Sequence, residues 1–288
     1  MGYSTKQQHY IPQMVLKRFY ADGYALDRES MGRKYLWMYD KEKKIERKVY
    51  DVKQICKEKN LYELKYNDKI LDGTTNEIEN FLSKLELEWS KIFNKIENND
   101  SEKLNLSIDE IALIYYYFTI QMLRLPKMIN AGTMFINTLI KNKLANNNID
   151  PKMAEAFVKF SALYPYNMND KKNKDFHWMQ EITFLKFAQK DLTILHSNIP
   201  FLLNDEDSFV GKKLDNSQID EILIPFSKNY ALFLDGNSTK FNGIKNINKN
   251  CAHQINMEIA KKGKFLYSAR AIGSLMSHDE INKICEYR

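Results

Sequence analysis

Residues 107–126 read SIDEIALIYYYFTIQMLRLP, and this stretch decides the fold class. From Ile108 to Leu125 it is apolar almost all round, the pattern of a helix buried at the centre of a bundle. Ser107, with Glu110 three residues on, supplies the capping box that starts it. Pro126, which cannot donate to the helical ladder, kinks or ends it. Two polar residues intrude, Gln121 and Arg124, three apart and therefore on one face. A guanidinium buried there is costly unless a carboxylate pairs with it.

The carboxylates come from the preceding segment. Ile78, Leu82, Leu85, Trp89, Ile92 and Ile96 recur at spacings of four and three, which predicts an amphipathic helix from about Thr75 to Asn98, capped by Thr74 or Thr75. Glu79 and Glu86 share one stripe of it, each directly after a core position, so they flank the packing seam. An Arg124–Glu79 or Arg124–Glu86 pair is therefore expected. Further helices are expected from Pro126 to about Ala145, from Pro151, and from Phe176 to Ala188.

On either side of this middle the texture turns to strands. Pro12 opens a short helix through Tyr20; Lys34–Tyr39 and Ile45–Val52 alternate around polar Asp40–Lys44 and predict a hairpin, with a third extended piece near Leu61–Leu64. Beyond Asp191, strands are expected at Leu192–His196, Phe201–Leu203, Ile222–Phe226, Tyr230–Leu234 and Lys264–Ser268. A helix near Ile247–Lys261 and a last one capped by Ser277 with Glu280 complete the chain. The fold class is α+β: a central helical bundle with a mostly antiparallel β-sheet formed by the C-terminal part and the N-terminal hairpin. No linker or repeat interrupts it, so residues 1–288 are expected to form a single domain, with a helical middle at about 74–189 and a β-rich part at about 190–288 packed on it.

Of the 288 residues, 44% are hydrophobic and 28% charged, enough apolar surface for a sizeable core. Cys56, Cys251 and Cys285 have no close pairing, which argues for a reducing compartment, against a disulfide framework and against a zinc knuckle. No secretory signal is expected, and the longest apolar run, Ile111–Phe118, is too short to span a bilayer, so the cytoplasm is the expected location and a membrane is not an expected partner. Between Lys240 and Arg270 seven basic residues face one acid, Glu258, a surplus equal to the formal net charge of +6. Phe241, Phe265 and Tyr267 are interleaved, and cations beside aromatics can hold a phosphate backbone and stack bases. The same segment also reads as a solvated lysine-rich face.

No Walker loop, GxGxxG, HExxH, CxxC pair or GxSxG occurs, so ATPase, dehydrogenase, zincin and α/β-hydrolase readings lose their support. What remains is Glu79, Glu86, Gln121 and Arg124, together with His9 in the polar run Gln8-His9-Tyr10. Two readings stand: a buried ion pair that locks two helices, or carboxylates near a cation and an imidazole, as metal-assisted or acid–base hydrolysis requires. His196-Ser197-Asn198-Ile199-Pro200, at the end of an apolar strand, is a second cluster; neighbours on a strand point to opposite faces, so a His196–Ser197 dyad is not expected.

Several of these residues carry a resemblance to domain-of-unknown-function family 4238. QHYIPQ (8–13) with Leu16 and Arg18-Phe19 resembles its opening signature, Leu36–Asp40 its first strand and Asn60-Leu61-Tyr62 a short motif after the hairpin. Glu79 and Glu86 resemble its paired glutamates, and Gln121, Arg124 and Pro126 its Gln-x-x-Arg-x-Pro pattern, with Leu125 where a threonine is frequent. Ser197–Pro200 resembles a Ser-Asp-Asn-Pro motif, but Asn198 and Ile199 replace the aspartate and asparagine. Ile224–Ser227, Asn256 and Phe265–Ser268 continue the likeness. The resemblance implies a bacterial, intracellular, phage-associated protein without an agreed activity; if the missing aspartate were a ligand or base, this chain would be weakened or inactive.

The functional expectation is a hydrolase or nuclease-like protein acting on nucleic acid or a nucleotide, with a part in phage–host conflict. Glu79 and Glu86 hold a divalent cation (Mg or Mn) or act as acid and base, His9 moves protons and Arg124 steadies a phosphate. Gln121, Asn198, Asn256, Lys261, Lys262 and Lys264 are the expected binding residues, and the basic segment 240–270 supplies backbone affinity. The alternative is a non-catalytic accessory module that binds nucleic acid or protein, in which the Glu-Arg-His cluster is structural.

Overall fold

A computed structural model describes residues 7–23, 26–62, 65–66, 69–70, 76–99, 104–143, 151–163, 178–206, 209–210, 213–214, 218–219, 221–236 and 239–287. In chain order the elements begin with β1 (Gln7–His9), α1 (Gln13–Leu16), β2 (Leu36–Asp40), β3 (Ile45–Val49), β4 (Lys57–Lys59), β5 (Lys65–Tyr66) and β6 (Lys69–Ile70). The helices α2 (Glu77–Glu97), α3 (Ile108–Leu123), α4 (Pro126–Lys143), α5 (Pro151–Leu163) and α6 (Trp178–Ala188) follow. Next come β7 (Asp191–His196), β8 (Leu203–Asn204), β9 (Phe209–Val210), β10 (Lys213–Leu214), β11 (Gln218–Ile219), β12 (Ile222–Pro225), β13 (Tyr230–Asp235) and β14 (Phe241–Asn246). The chain closes with α7 (Lys249–Lys261), β15 (Phe265–Ser268) and α8 (His278–Glu286). The fold is α+β, as the sequence predicts.

The chain forms two compact units, each assembled from separated stretches. The first comprises Met1–Tyr10, Lys57–Ile92 and Ile108–Ala188; the second comprises Ile11–Cys56, Phe93–Ser107 and Gln189–Arg288. In the first unit, α3 is the buried centre, with Ile114, Tyr117, Phe118 and Ile120 sealed from solvent. Trp89 of α2 donates its indole N–H to the Leu113 carbonyl at 2.9 Å and sets its ring edge-on against Tyr117, so α2 and α3 are joined by a hydrogen bond within apolar packing. Tyr116 reaches Gln180 of α6 at 2.9 Å. Gly132 brings α4 close to α5: a Cβ there would meet a Val158 methyl at 2.9 Å. β1 pairs antiparallel with β4, His9 opposite Lys57. That pairing was not expected, because both strands are short and polar.

The second unit holds two sheets. Five strands run in the order β14-β7-β13-β12-β9, antiparallel except that β14 lies parallel to β7. Four run β3-β2-β15-β8, all antiparallel: the predicted hairpin β2–β3 is continued by β15, with Trp37 opposite Ser268. Leu192, Ile194, Ile222, Leu232 and Leu234 are fully buried, so the central strands read as apolar runs instead of alternating. α8 opens with the predicted capping box of Ser277 and Glu280.

Some boundaries differ from expectation. Pro126 ends one helix and starts the next, since proline fits the first helical position and fails inside. Leu61 and Tyr62 form a turn and the strand lies upstream in β4, while Leu64 and the expected caps Thr74 and Thr75 fall outside the described residues. Among the described residues, no helix is long and apolar enough to cross a membrane.

Candidate functional site

The break at Pro126 leaves Arg124 in the turn between α3 and α4, with its main-chain N–H still bonded to the Ile120 carbonyl at 2.9 Å. Its side chain runs inward and is 1% exposed as a residue. Each guanidinium nitrogen has an acceptor: Nη1 donates to Glu86 Oε1 at 3.0 Å, Nε to the Tyr62 hydroxyl at 3.0 Å, and Nη2 to the His9 carbonyl. The predicted ion pair is thus Arg124–Glu86. Arg124 also lies over the Tyr62 ring, 5.6 Å from its centre. Sealed and engaged at three nitrogens, this arginine does not reach a phosphate as expected; it organises the residues around it.

Those residues come from three parts of the first unit. Tyr62 is buried; its hydroxyl donates to the His9 carbonyl at 2.8 Å and its main-chain N–H to Gln8 Oε1 at 2.7 Å. Gln121, also buried, donates Nε2 to the Tyr10 carbonyl at 2.7 Å. Segment 8–10 is therefore gripped by side chains from α3 and from the turn after β4. Glu79 lies one heptad before Glu86 on α2, and both carboxylates act electrostatically on the Tyr62 phenol. Glu79, Glu86 and His9 are each half-buried.

Burial is the largest influence on Tyr62 and pushes its phenol well above the ordinary range; the Arg124 charge and hydrogen bond work against it, and Glu79 and Glu86 push it further up. Burial also works against the Arg124 charge, but Tyr62 and Glu86 more than offset it, so the guanidinium's pKa rises. The centre is a buried cation with two carboxylates, a neutral phenol and a clamped main chain. Among the described residues no three His, Cys, Asp or Glu side chains are grouped to hold a metal ion. Two carboxylates are nevertheless the hard oxygen donors that Mg²⁺ or Mn²⁺ prefers, and Mg²⁺ commonly completes its shell with water and substrate phosphates.

The remaining expected binding residues belong to the second unit. Asn198 is exposed in the turn after β7, where Ser197 Oγ accepts the Ile199 N–H at 3.0 Å. Asn256, expected to bind, is 1% exposed and braces the chain instead: Oδ1 accepts the Leu202 N–H at 2.8 Å and Nδ2 donates to the Pro200 carbonyl at 3.0 Å. Within the basic segment, Lys261 pairs with Glu258 and Lys264 with Glu42, which blunts part of its charge. Lys240, Lys245, Lys249, Lys262 and Arg270 are exposed and make no ion pair among the described residues. A small pocket elsewhere in this unit is lined by Trp37, Tyr39, Glu46, Ser268 and Arg270, of which Arg270 alone belongs to the expected basic segment.

Sequence reasoning named His9, Glu79, Glu86, Gln121 and Arg124, which the structure places in the first unit, and did not name Tyr62 and Gln8 as members. The signal for Tyr62 was its polar hydroxyl in a turn just before the glutamate helix, which reads as an ordinary core aromatic.

A family described as "protein of unknown function (DUF4238)" matches residues 7–268, a span that contains every residue of this centre. No curated protein and no solved structure matches the chain.

Proposed function

The chain belongs to the DUF4238 family, and we propose that it is a hydrolase acting on nucleic acid or a nucleotide, with its chemistry at the polar centre of the first unit. The observation that carries this reading is the buried Arg124 that holds the Glu86 carboxylate at 3.0 Å and bonds the Tyr62 hydroxyl, with Glu79 one heptad earlier on the same helix. Two half-buried carboxylates with a positioned neighbour suit either acid–base work or retention of a divalent cation, which would polarise a phosphate and activate water. His9 passes protons, and the exposed cations of segment 240–270 supply backbone affinity. A part in phage–host conflict accompanies the reading on the family resemblance alone, and a cytoplasmic setting also on three cysteines without close pairing.

The test compares wild type with Glu79→Gln on DNA, RNA, nucleotides and a generic phosphodiester, with Mg²⁺ or Mn²⁺. The expected outcome is turnover that falls by about 100-fold or more in the variant while its melting temperature holds. Equal turnover in both proteins, or none in wild type, rejects the reading.

A second reading draws on one observation, the sealing of Arg124 against three protein acceptors. Here the centre is a structural lock, and the protein is an accessory module that binds nucleic acid through its exposed lysines. Glu79→Gln then lowers the melting temperature without touching function. Affinity for nucleic acid falls steeply with salt; a flat salt response rules out both nucleic-acid versions.

A further inference from the structure

Resting on the hydrolase reading, we propose that Tyr62 is a positioning residue for His9, acting on its main chain and thereby fixing where its imidazole can act. The geometry is a closed ring of three hydrogen-bonding groups. Tyr62 Oη donates to the His9 carbonyl, Arg124 Nη2 donates to the same carbonyl, and Arg124 Nε donates to Tyr62 Oη. One carbonyl with two donors that are also bonded to each other has little freedom to rotate.

The residues on either side are pinned as well. Gln8 accepts the Tyr62 N–H through its side chain, and the Tyr10 carbonyl takes Gln121 Nε2. β1 adds the ladder to β4. Tyr62 thus holds segment 8–10 at two points with its own main chain and hydroxyl. It is also the residue on which both glutamates act electrostatically. The imidazole of His9 is carried by a backbone fixed relative to the guanidinium that anchors Glu86, so one phenolic oxygen sets the register between the expected proton carrier and the carboxylates. A phenylalanine would fill the same space, yet deprive Arg124 Nε of the phenolic acceptor and the His9 carbonyl of the phenolic donor.

The experiment measures carbon-13 relaxation of the His9 ring in the full chain, its signal assigned by its loss in His9→Gln. In wild type the ring order parameter is expected near 0.85, and in Tyr62→Phe below about 0.6. Tyr116→Phe, which removes another hydrogen-bonded, half-buried tyrosine hydroxyl of the same unit, is the control: it lowers the melting temperature and leaves the His9 ring ordered. If Tyr62→Phe does not fold, Gln8→Leu, which keeps the hydroxyl but strips the Tyr62 N–H of its acceptor, is expected to loosen the ring in the same direction. A ring that stays ordered in the folded variant, or one that loosens equally in Tyr116→Phe, overturns the proposal. Under the hydrolase reading, Tyr62→Phe also lowers kcat by about 10- to 100-fold with KM nearly unchanged. A wild type without turnover rejects that reading while the ring measurement still decides the role of Tyr62.

Discussion

The Arg124 centre of the first unit and the junction of β8, α7 and β15 in the second bury polar groups in opposite ways. At the junction, buried Asn204, Asn256 and Lys41 and half-buried Asp205 are aimed at main chain. Asn256 takes the Leu202 N–H and the Pro200 carbonyl, Asn204 reaches the Ile259 carbonyl, Lys41 reaches the Ala260 carbonyl, and Asp205 accepts the Lys264 and Phe265 N–H groups. At the Arg124 centre, side chains also meet each other: guanidinium with carboxylate, guanidinium with phenol, two carboxylates on one phenol. Polar groups spent on backbone bonds complete a scaffold. Ionisable groups that meet one another hold charges whose balance a substrate, a cation or a proton can alter. This difference is why the proposed chemistry is assigned to the first unit.

The comparison breaks most sharply at Arg124. Arg124→Met leaves the Glu86 carboxylate without its cation and takes one donor each from the Tyr62 hydroxyl and the His9 carbonyl, and is expected to cost about 3–5 kcal/mol in urea unfolding. A loss below about 1 kcal/mol would mean that water reaches the centre freely. Asn256→Leu comes next, at roughly 3 kcal/mol, because an N–H and a carbonyl lose their partner inside the fold. Nucleic-acid affinity is expected to stay unchanged in that variant under folding conditions. A folded Asn256→Leu protein that no longer binds would return the residue to the binding set and erase the contrast.

The smallest effect is on pH. The Ser277 N–H, the His253 imidazole and the Ser277 hydroxyl hold the Glu280 carboxyl at about 2, below its ordinary 4.5. A carboxylate whose pKa is depressed in the folded state contributes stability above its unfolded value and loses it as the pH falls. The start of α8 should therefore loosen between about pH 4.5 and about 2. Hydrogen exchange across residues 278–286 follows it, and Glu280→Gln should flatten the response.

What the sequence disclosed follows the strength of local pattern. The four-and-three spacing of α2, the apolar round of α3, the break at Pro126 and the cap at Ser277 are all local rules, and each found its counterpart. The Arg124 pairing was legible because a buried charge demands a partner, and Glu79 and Glu86 flank the seam on one stripe of α2. β14 was not legible: FNGIKN has the composition of a loop, and its place at the edge of a sheet lets polar residues face outward. Asn256 was ambiguous in the sequence, because a conspicuous amide offers the same evidence whether it grips a ligand or its own backbone, and the structure bonds both its ends to main chain. The interleaving of the two units left no trace in composition, since the chain passes between them without a linker. Tyr62 needed the third dimension, as its partners lie far away in sequence.

The pairing of β2 with β15 has a consequence in time. Trp37 lies opposite Ser268, so the strand that flanks the hairpin emerges roughly 230 residues after it, which at about 5–20 residues per second is a wait of about 10–50 s. Throughout that interval one side of β2 has its N–H and carbonyl groups without their final partners, next to Leu36 and Met38, which end up buried. A newly made chain is thus most vulnerable to wrong association before synthesis nears its end, and its yield in a cell depends on what shelters that hairpin while the ribosome works.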